Sequence, residues 1–274
     1  MFDARSLLGQ LMQAGMTPTT ENRVRHAVGP EGLGQPGNPL AALFGGASGS
    51  QAGGGLGGLA EMASSMFGGA KSSVQSGNPL AVGGLAALAG AFLGGGSGAM
   101  KGALGGGAMA LLGSLAMNAL KNYGGQGGAA ASSEDIAREA PLGLREPQTP
   151  SEEQALQHEA TLVVRAMVSA AKADGAIDGS EMQRIMGQVE QEGADPEARN
   201  FLLSEMQKPL DLGGLVRDVP SREVGAKVYA ASVLAIEVDT AAEREYLRRL
   251  AQGLGLDGTA VQRIHQALGV APLA

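Results

Sequence analysis

Between Lys71 and Lys121 the chain carries a single charge, Lys101, which divides two charge-free segments, residues 72–100 and 102–120. A stretch so poor in charge must bury itself against protein or lipid, and no other feature limits the fold as much. Every fourth residue from Ala86 is small: Ala86, Gly90, Gly94, Gly98, Gly102, Gly106, Ala110 and Ser114. On an α-helix these positions share a face. Roughly opposite lie Leu88, Phe92, Gly96, Met100, Leu104, Ala108 and Leu112. A small face backed by a bulky one is the pattern of helices packed closely in a membrane. In a segment this rich in Gly, Ala and Ser, composition alone also generates such a stripe.

Length argues against one continuous helix. From residue 79 to 120 it would run about 60 Å, twice the ~30 Å of hydrocarbon in a bilayer. Glycine costs about 1 kcal/mol per helical position relative to Ala in water, and Gly94, Gly95 and Gly96 are consecutive. A hairpin turning near residues 94–101 fits better, with arms 79–93 and 102–120 and with Gly90, Gly94, Gly98, Gly102 and Gly106 as the helix-packing residues. The first arm is short against the ~17–25 residues a span needs, so a single span with a re-entrant partner is the alternative. The expected partners are a membrane and other copies of the chain.

Composition then divides the molecule. Residues 1–130 hold 33 of the 45 glycines and a net charge of +2, six basic residues against four acidic; residues 131–274 hold fourteen against twenty-three, or −9. There is no cysteine, which excludes disulfides and thiolate metal sites. Aromatic residues are 3% with no Trp, so the usual interfacial aromatic belt is missing. The acidic balance and the lack of basic clusters with aromatic platforms argue against nucleic acid. Asp3 and Arg5 precede only a brief apolar run, unlike a signal peptide, and a cytoplasmic main domain is expected.

Taken in order, residues 1–76 read as a Gly-rich, low-complexity region opened by a short amphipathic helix over residues 2–14. That helix is a surface anchor, a partner helix or a frayed end. Residues 16–34 read as linker. Gly37-Asn38-Pro39-Leu40-Ala41 recurs as Gly77-Asn78-Pro79-Leu80-Ala81, each an Asn-Pro helix entry before a Gly/Ala/Leu run. Residues 77–123 are the apolar segment and 124–150 a linker with Pro141, Pro147 and Pro150. From 151 to 274 the sequence predicts an all-α bundle of about seven helices. The starts carry recognisable caps: Ser151 with Gln154, Asp178 with Glu181, Asp195-Pro196, Asp211, Ser221, Thr240 with Glu243, and Asp257.

Two turns gather carboxylates. The first runs from Lys172 through Asp174, Asp178 and Glu181; the second from Glu237 through Asp239 to Glu243. Each joins a long apolar helix to a capped one, which suggests an internal duplication with a shortened second turn. Carboxylates converging at a turn can ligate a hard divalent cation such as Ca²⁺ or Mg²⁺. Asp178/Glu181 and Thr240/Glu243 also suffice as capping boxes, and the EF-hand spacing is not met.

The run Ala171-Lys172-Ala173-Asp174-Gly175-Ala176-Ile177-Asp178 through Glu181, with Glu237-Val238-Asp239 through Glu243-Arg244-Glu245-Tyr246-Leu247, resembles the tellurite-resistance TerB-like family. A Gly-rich apolar segment ahead of that domain is similar to its YebE-like inner-membrane branch, whose function is unknown. The resemblance covers residues 152–268; residues 1–76 match it only in character. It implies an all-helical, pseudo-repeated domain with Asp174, Asp178, Glu181, Asp239 and Glu243 as divalent-cation ligands and Glu237 as a looser match. The shortened second turn departs from a symmetric two-site arrangement.

No enzyme is expected. His26, His158 and His265 sit in linker or helical settings, no nucleophile motif is recognisable, and no phosphate loop ends in Gly-Lys-Ser/Thr. The expected function is therefore a non-catalytic, membrane-associated protein of the bacterial inner membrane, its TerB-like domain cytoplasmic, linked to stress or tellurite resistance. The alternative is a soluble scaffold that self-assembles through its glycine-rich helices.

Overall fold

A helix that is apolar on every side must have its whole circumference covered. In the computed structural model the second charge-free segment forms such a helix, and protein covers its stretch from Ala108 to Ala116. The structure describes residues 3–14, 19–29, 32–33, 100–120, 142–143, 147–175 and 177–273. Among these it contains ten helices and no strand: α1 Ala4–Ala14, α2 Thr20–Val28, α3 Met100–Leu120, α4 Pro150–Ala171, α5 Gly179–Gln191, α6 Pro196–Gln207, α7 Leu212–Asp218, α8 Arg222–Ala235, α9 Ala241–Gly253 and α10 Gly258–Ala267.

The all-α class and the seven C-terminal helices agree with the sequence reading, and local caps explain why. The first of these helices is capped by Thr149, with the expected cap Ser151 inside its first turn. Thr149, Asp195, Asp211, Ser221 and Asp257 each accept a hydrogen bond from the backbone N–H three residues on. Asp178 and Thr240 open α5 and α9 with full capping boxes, closed by Glu181 and Glu243. The duplication is visible in these starts. The α5 and α9 helices both have 13 residues and a capping box, and each is followed by an Asp-capped helix whose third residue is Ala, Ala198 or Ala260.

Two helices form the centre. In α8, Val224 to Ala235 are all buried, and in α3 every residue from Ala108 to Ala116 is buried. The α3 helix packs on α1, α8 and α10, and α8 packs on α4. Leu7, Leu8 and Leu11 of α1 belong to the same hydrophobic core as Leu112 and Leu115 of α3 and Val228 of α8.

This changes three expectations. Of residues 102–120, expected as the second arm of a membrane hairpin, Ala108, Met109, Leu111, Leu112, Leu115, Ala116 and Ala119 enter the bundle core. The ambiguity is physical, because lipid and a protein interior select the same all-round apolar helix. The α1 helix is a core element, fixed by its leucines at i, i+1 and i+4. Residues 16–34, read as linker, contain the helix α2, with Ala27 and Leu33 in the core. The division into an apolar segment and a separate domain from residue 151 therefore gives way to one core built from both. Among the described residues no helix is long and apolar enough to cross a membrane. Gly90, Gly94 and Gly98 lie outside the described residues; Gly102 and Gly106 lie in α3, ahead of its buried stretch.

Candidate functional site

The two acidic turns fold from similar local sequence and reach different ends. After α4 the chain passes through exposed Asp174 to exposed Asp178 and Glu181. Asp178 Oδ1 accepts from the backbone N–H groups of Ser180 at 2.7 Å and Glu181 at 2.9 Å, and from the Ser180 hydroxyl at 2.7 Å. Glu181 Oε2 accepts from the Asp178 N–H at 3.0 Å. The hydrogen bond from the Glu181 N–H, followed by those from Ser180, holds the Asp178 carboxyl below its usual range. Lys172, at the start of this turn, points away from the carboxylates. Its ammonium donates to the carbonyls of Glu205 and Lys208 at the end of α6.

After α8 the same elements close inward. Glu243 is only 7% exposed, and its Oε2 accepts from the Asp239 N–H at 3.1 Å, the Thr240 N–H at 3.0 Å and the Thr240 hydroxyl at 2.9 Å. Val238 takes a positive φ of 61°, a left-handed conformation uncommon for a β-branched residue. Arg244 fastens the turn by donating to the Asp239 carbonyl at 2.9 Å.

A residue from the other end of the chain completes this turn. Arg23 of α2 is 8% exposed, and its guanidinium donates to the carbonyls of Val233, Ile236 and Glu237 at the C-terminal end of α8. Thr20 adds a hydroxyl bond to the Leu234 carbonyl at 2.9 Å. The last carbonyls of a helix lack partners within it and carry the negative end of its dipole, so a guanidinium fits both needs. Burial depresses the Arg23 pKa, while the charges of Glu237 and Glu243 oppose that shift. Arginine stays protonated, and a fixed cation thus neutralises the second turn.

The divalent-cation set expected from the sequence is not assembled. Asp174, Asp178 and Glu181 lie on one turn, Asp239 and Glu243 on the other. Among the described residues no group of three or more His, Asp or Glu side chains could hold a metal ion. The donor chemistry agrees, since Asp178, Glu181 and Glu243 are engaged as caps and the second turn already contains Arg23. The residues do not fit a bound ion.

Sequence reasoning missed Arg23, because its stretch read as polar linker. The available signal was Val24, Ala27 and Val28 at helical spacing. It also missed two buried polar groups. Lys227 is fully buried on α8, and its ammonium meets Glu159 at 2.8 Å, Glu223 at 3.0 Å and the Leu142 carbonyl at 3.0 Å. Tyr229 lies 2.9 Å from His265 Nε2, and His265 Nδ1 lies 2.8 Å from the Ala271 carbonyl. A carbonyl only accepts, so Nδ1 carries the proton and Nε2 accepts from the Tyr229 hydroxyl. Burial first, with Arg23 adding to it, pushes the His265 pKa down against the Ala271 hydrogen bond. Burial also pushes the Tyr229 hydroxyl up, keeping it protonated. These pairs tie the helices together beneath the surface.

A family described as proteins of unknown function (DUF533) matches residues 75–268. The chain belongs to this family. The match takes in α3 to α10 and leaves α1 and α2 outside it. The chain is also 32% identical over 92 residues to an "Uncharacterized protein in ampR 5'region" of Yersinia enterocolitica, a match covering 34% of this chain and 66% of that protein. No solved structure matches the chain.

Proposed function

We propose that this member of the family is a non-catalytic helical scaffold that self-associates through the glycine-rich stretch between α2 and α3. One observation carries the reading: Leu33 and Ala108 belong to the same hydrophobic core. Residues 34–99 therefore leave one folded body and return to it, and those 66 residues include 20 glycines and only two charges, Glu61 and Lys71. If the bundle stays on one side of a bilayer, this excursion crosses it an even number of times. Two crossings require two apolar runs of about 20 residues. The excursion has two charge-free runs of that length, residues 34–60 and 72–99, but the first is broken by a polar, Gly/Ser/Gln-rich stretch over residues 45–58. With the C-terminal half of the former second arm inside the bundle, contact between copies uses this sequence better than a span does. Asp178, Glu181, Thr240 and Glu243 of the two turns are occupied in caps, which supports a binding role over a catalytic one.

Membrane association is the second reading, favoured by that charge-free run of residues 72–100. It takes the form of a re-entrant or surface-lying segment, with the bundle on the cytoplasmic face of an inner membrane. The YebE-like assignment and a link to stress or tellurite resistance belong to it.

Light scattering on the full chain and on a chain lacking residues 34–99 separates the two. Self-association predicts an oligomer that becomes monomeric on deletion. A full chain that stays monomeric at tens of micromolar overturns it. Retention in membranes through an alkaline carbonate wash, lost on the same deletion, establishes the second reading. Within an oligomer, Gly98→Leu weakens association more than Gly95→Leu if the small stripe is the contact.

A further inference from the structure

The α1–α2 arm, residues 3–33, is bound to the bundle through side chains yet joined to it in sequence only across residues 34–99. We propose that this arm exchanges between copies, docking on the bundle of a second chain as it docks on its own. The inference rests on the self-association reading and specifies how neighbouring copies interlock.

Three observations lead to it. First, the arm cannot hold its shape alone. Its helices have 11 and 9 residues, below the ~12–15 at which isolated helices become even marginal in water. Undocked, it would expose Leu7, Leu8 and Leu11 and uncover the face of α3 against which α1 packs. An open chain thus has two complementary apolar surfaces, and the arm of another copy fits the vacant one residue for residue.

Second, the docking is specific. The Arg5 guanidinium meets Glu153 at 2.5 Å. The Ala4 N–H donates to Gln157 Oε1 at 2.9 Å, and Gln157 Nε2 donates to Asp3 at 2.8 Å. Arg23 and Thr20 cap α8, and His26 Nδ1 lies 3.2 Å from the Ala267 carbonyl. Third, the family match starts at residue 75, beyond the arm. The arm lies outside the matched residues and yet shares their hydrophobic core.

Docking within a chain and docking between chains make the same contacts. The balance between them rests on the connection. The effective concentration that a connection imposes falls as its length grows past the span it must bridge. With 66 residues in the connection, isolated chains at micromolar concentration close on themselves. Chains gathered through residues 34–99 reach the local concentration at which arms trade places. Exchange then adds the α1 and α2 contacts to an assembly begun by the glycine-rich stretch.

The chain has no cysteine, so two introduced thiols report on the arm cleanly. Full-length Arg5→Cys and Glu153→Cys copies, mixed in equal amounts, are treated with a short bismaleimide, and Arg5→Cys mixed with Arg249→Cys serves as the collision control. The expected result is a cross-linked species of twice the chain mass from the first mixture, rising with protein concentration and at least tenfold above the control. The double variant Arg5→Cys/Glu153→Cys cross-links within one chain at high dilution. Adding Arg23→Ala to the Arg5→Cys copy lowers the mixed product severalfold. Mixed product no greater than the control, with intramolecular product at every concentration, overturns the exchange. If light scattering still finds oligomers in that case, self-association stands and exchange alone fails. If it finds monomers throughout, the self-association reading has failed as well.

Discussion

At the turn after α4, Asp178 and Glu181 face solvent and serve only the helix that follows. At the turn after α8, Glu243 is buried, Val238 is left-handed and the guanidinium of Arg23 is bound among the carbonyls. Both turns were built from one plan, a long helix, a few acidic residues and a capping box. The difference comes from what lies beside them. The first turn has a cation of its own, Lys172, directed to the end of α6. The second turn has Arg244, directed to the Asp239 carbonyl, and receives a further cation from α2, more than 200 positions away. Arg263 serves α3 in the same manner, donating to the Ala119 carbonyl at 3.2 Å. Helix ends buried in a small bundle need donors, and this chain supplies them with long basic side chains from elsewhere. An acidic turn in this fold thus informs on helix closure before it informs on metal.

The sharpest way to break the comparison is to remove the distant cation. Arg23→Ala leaves three carbonyls at the end of α8 without their donor and Glu243 buried without its countercharge. Loss of about 3 kcal/mol in urea denaturation is expected. Arg23→Lys should recover only part of it, because an ammonium lacks the planar fork. Arg25→Ala, on the exposed side of α2, should change stability by less than about 0.5 kcal/mol. An Arg23→Ala chain as stable as the parent would mean that the second turn stands without the arm.

The paired carboxylates come next. Glu243→Gln weakens three hydrogen bonds at a buried carboxylate and removes a charge facing Arg23, at a cost of about 2 kcal/mol. Glu181→Gln, at the corresponding exposed position, should cost far less in the same denaturation series. Equal effects would show that the turns are energetically alike despite their burial.

Acid sharpens the contrast between buried and exposed groups. The folded pKa of His265 lies below its ordinary value of 6.5, so the fold favours the neutral ring. The stability this group contributes is complete above about pH 6.5 and is lost as pH falls toward the depressed folded value. One proton gives a slope of at most about 1.4 kcal/mol per pH unit. Melting temperature should decline between pH 6.5 and 5, and His265→Gln should flatten that decline. An unchanged slope in the variant would assign the titration elsewhere. The smallest effect concerns Val238. Its positive φ costs about 1 kcal/mol, part of which glycine's greater unfolded entropy offsets, so Val238→Gly should stabilise by roughly 0.5 kcal/mol. A destabilised variant would show that the side chain's packing outweighs the strain.

The sequence by itself determined the seven C-terminal helices, and for a local reason. A cap is a contact between residues two or three apart, and an amphipathic face is set within a few turns, so Asp178, Thr240 and Asp257 announce their helices without reference to anything distant. It also determined that residues 102–120 must be covered on every side, but not by what. Tertiary structure decided that α1, α8 and α10 cover the C-terminal half of that helix, that the polar stretch around Arg23 is a helix, and that one acidic turn is closed while its counterpart stays open. Those outcomes depend on partners far apart along the chain, whose meeting leaves no periodic or spacing signal in either stretch alone. The same Asp-and-Glu turn can serve as a cap or as a ligand set, and its neighbours in space decide which.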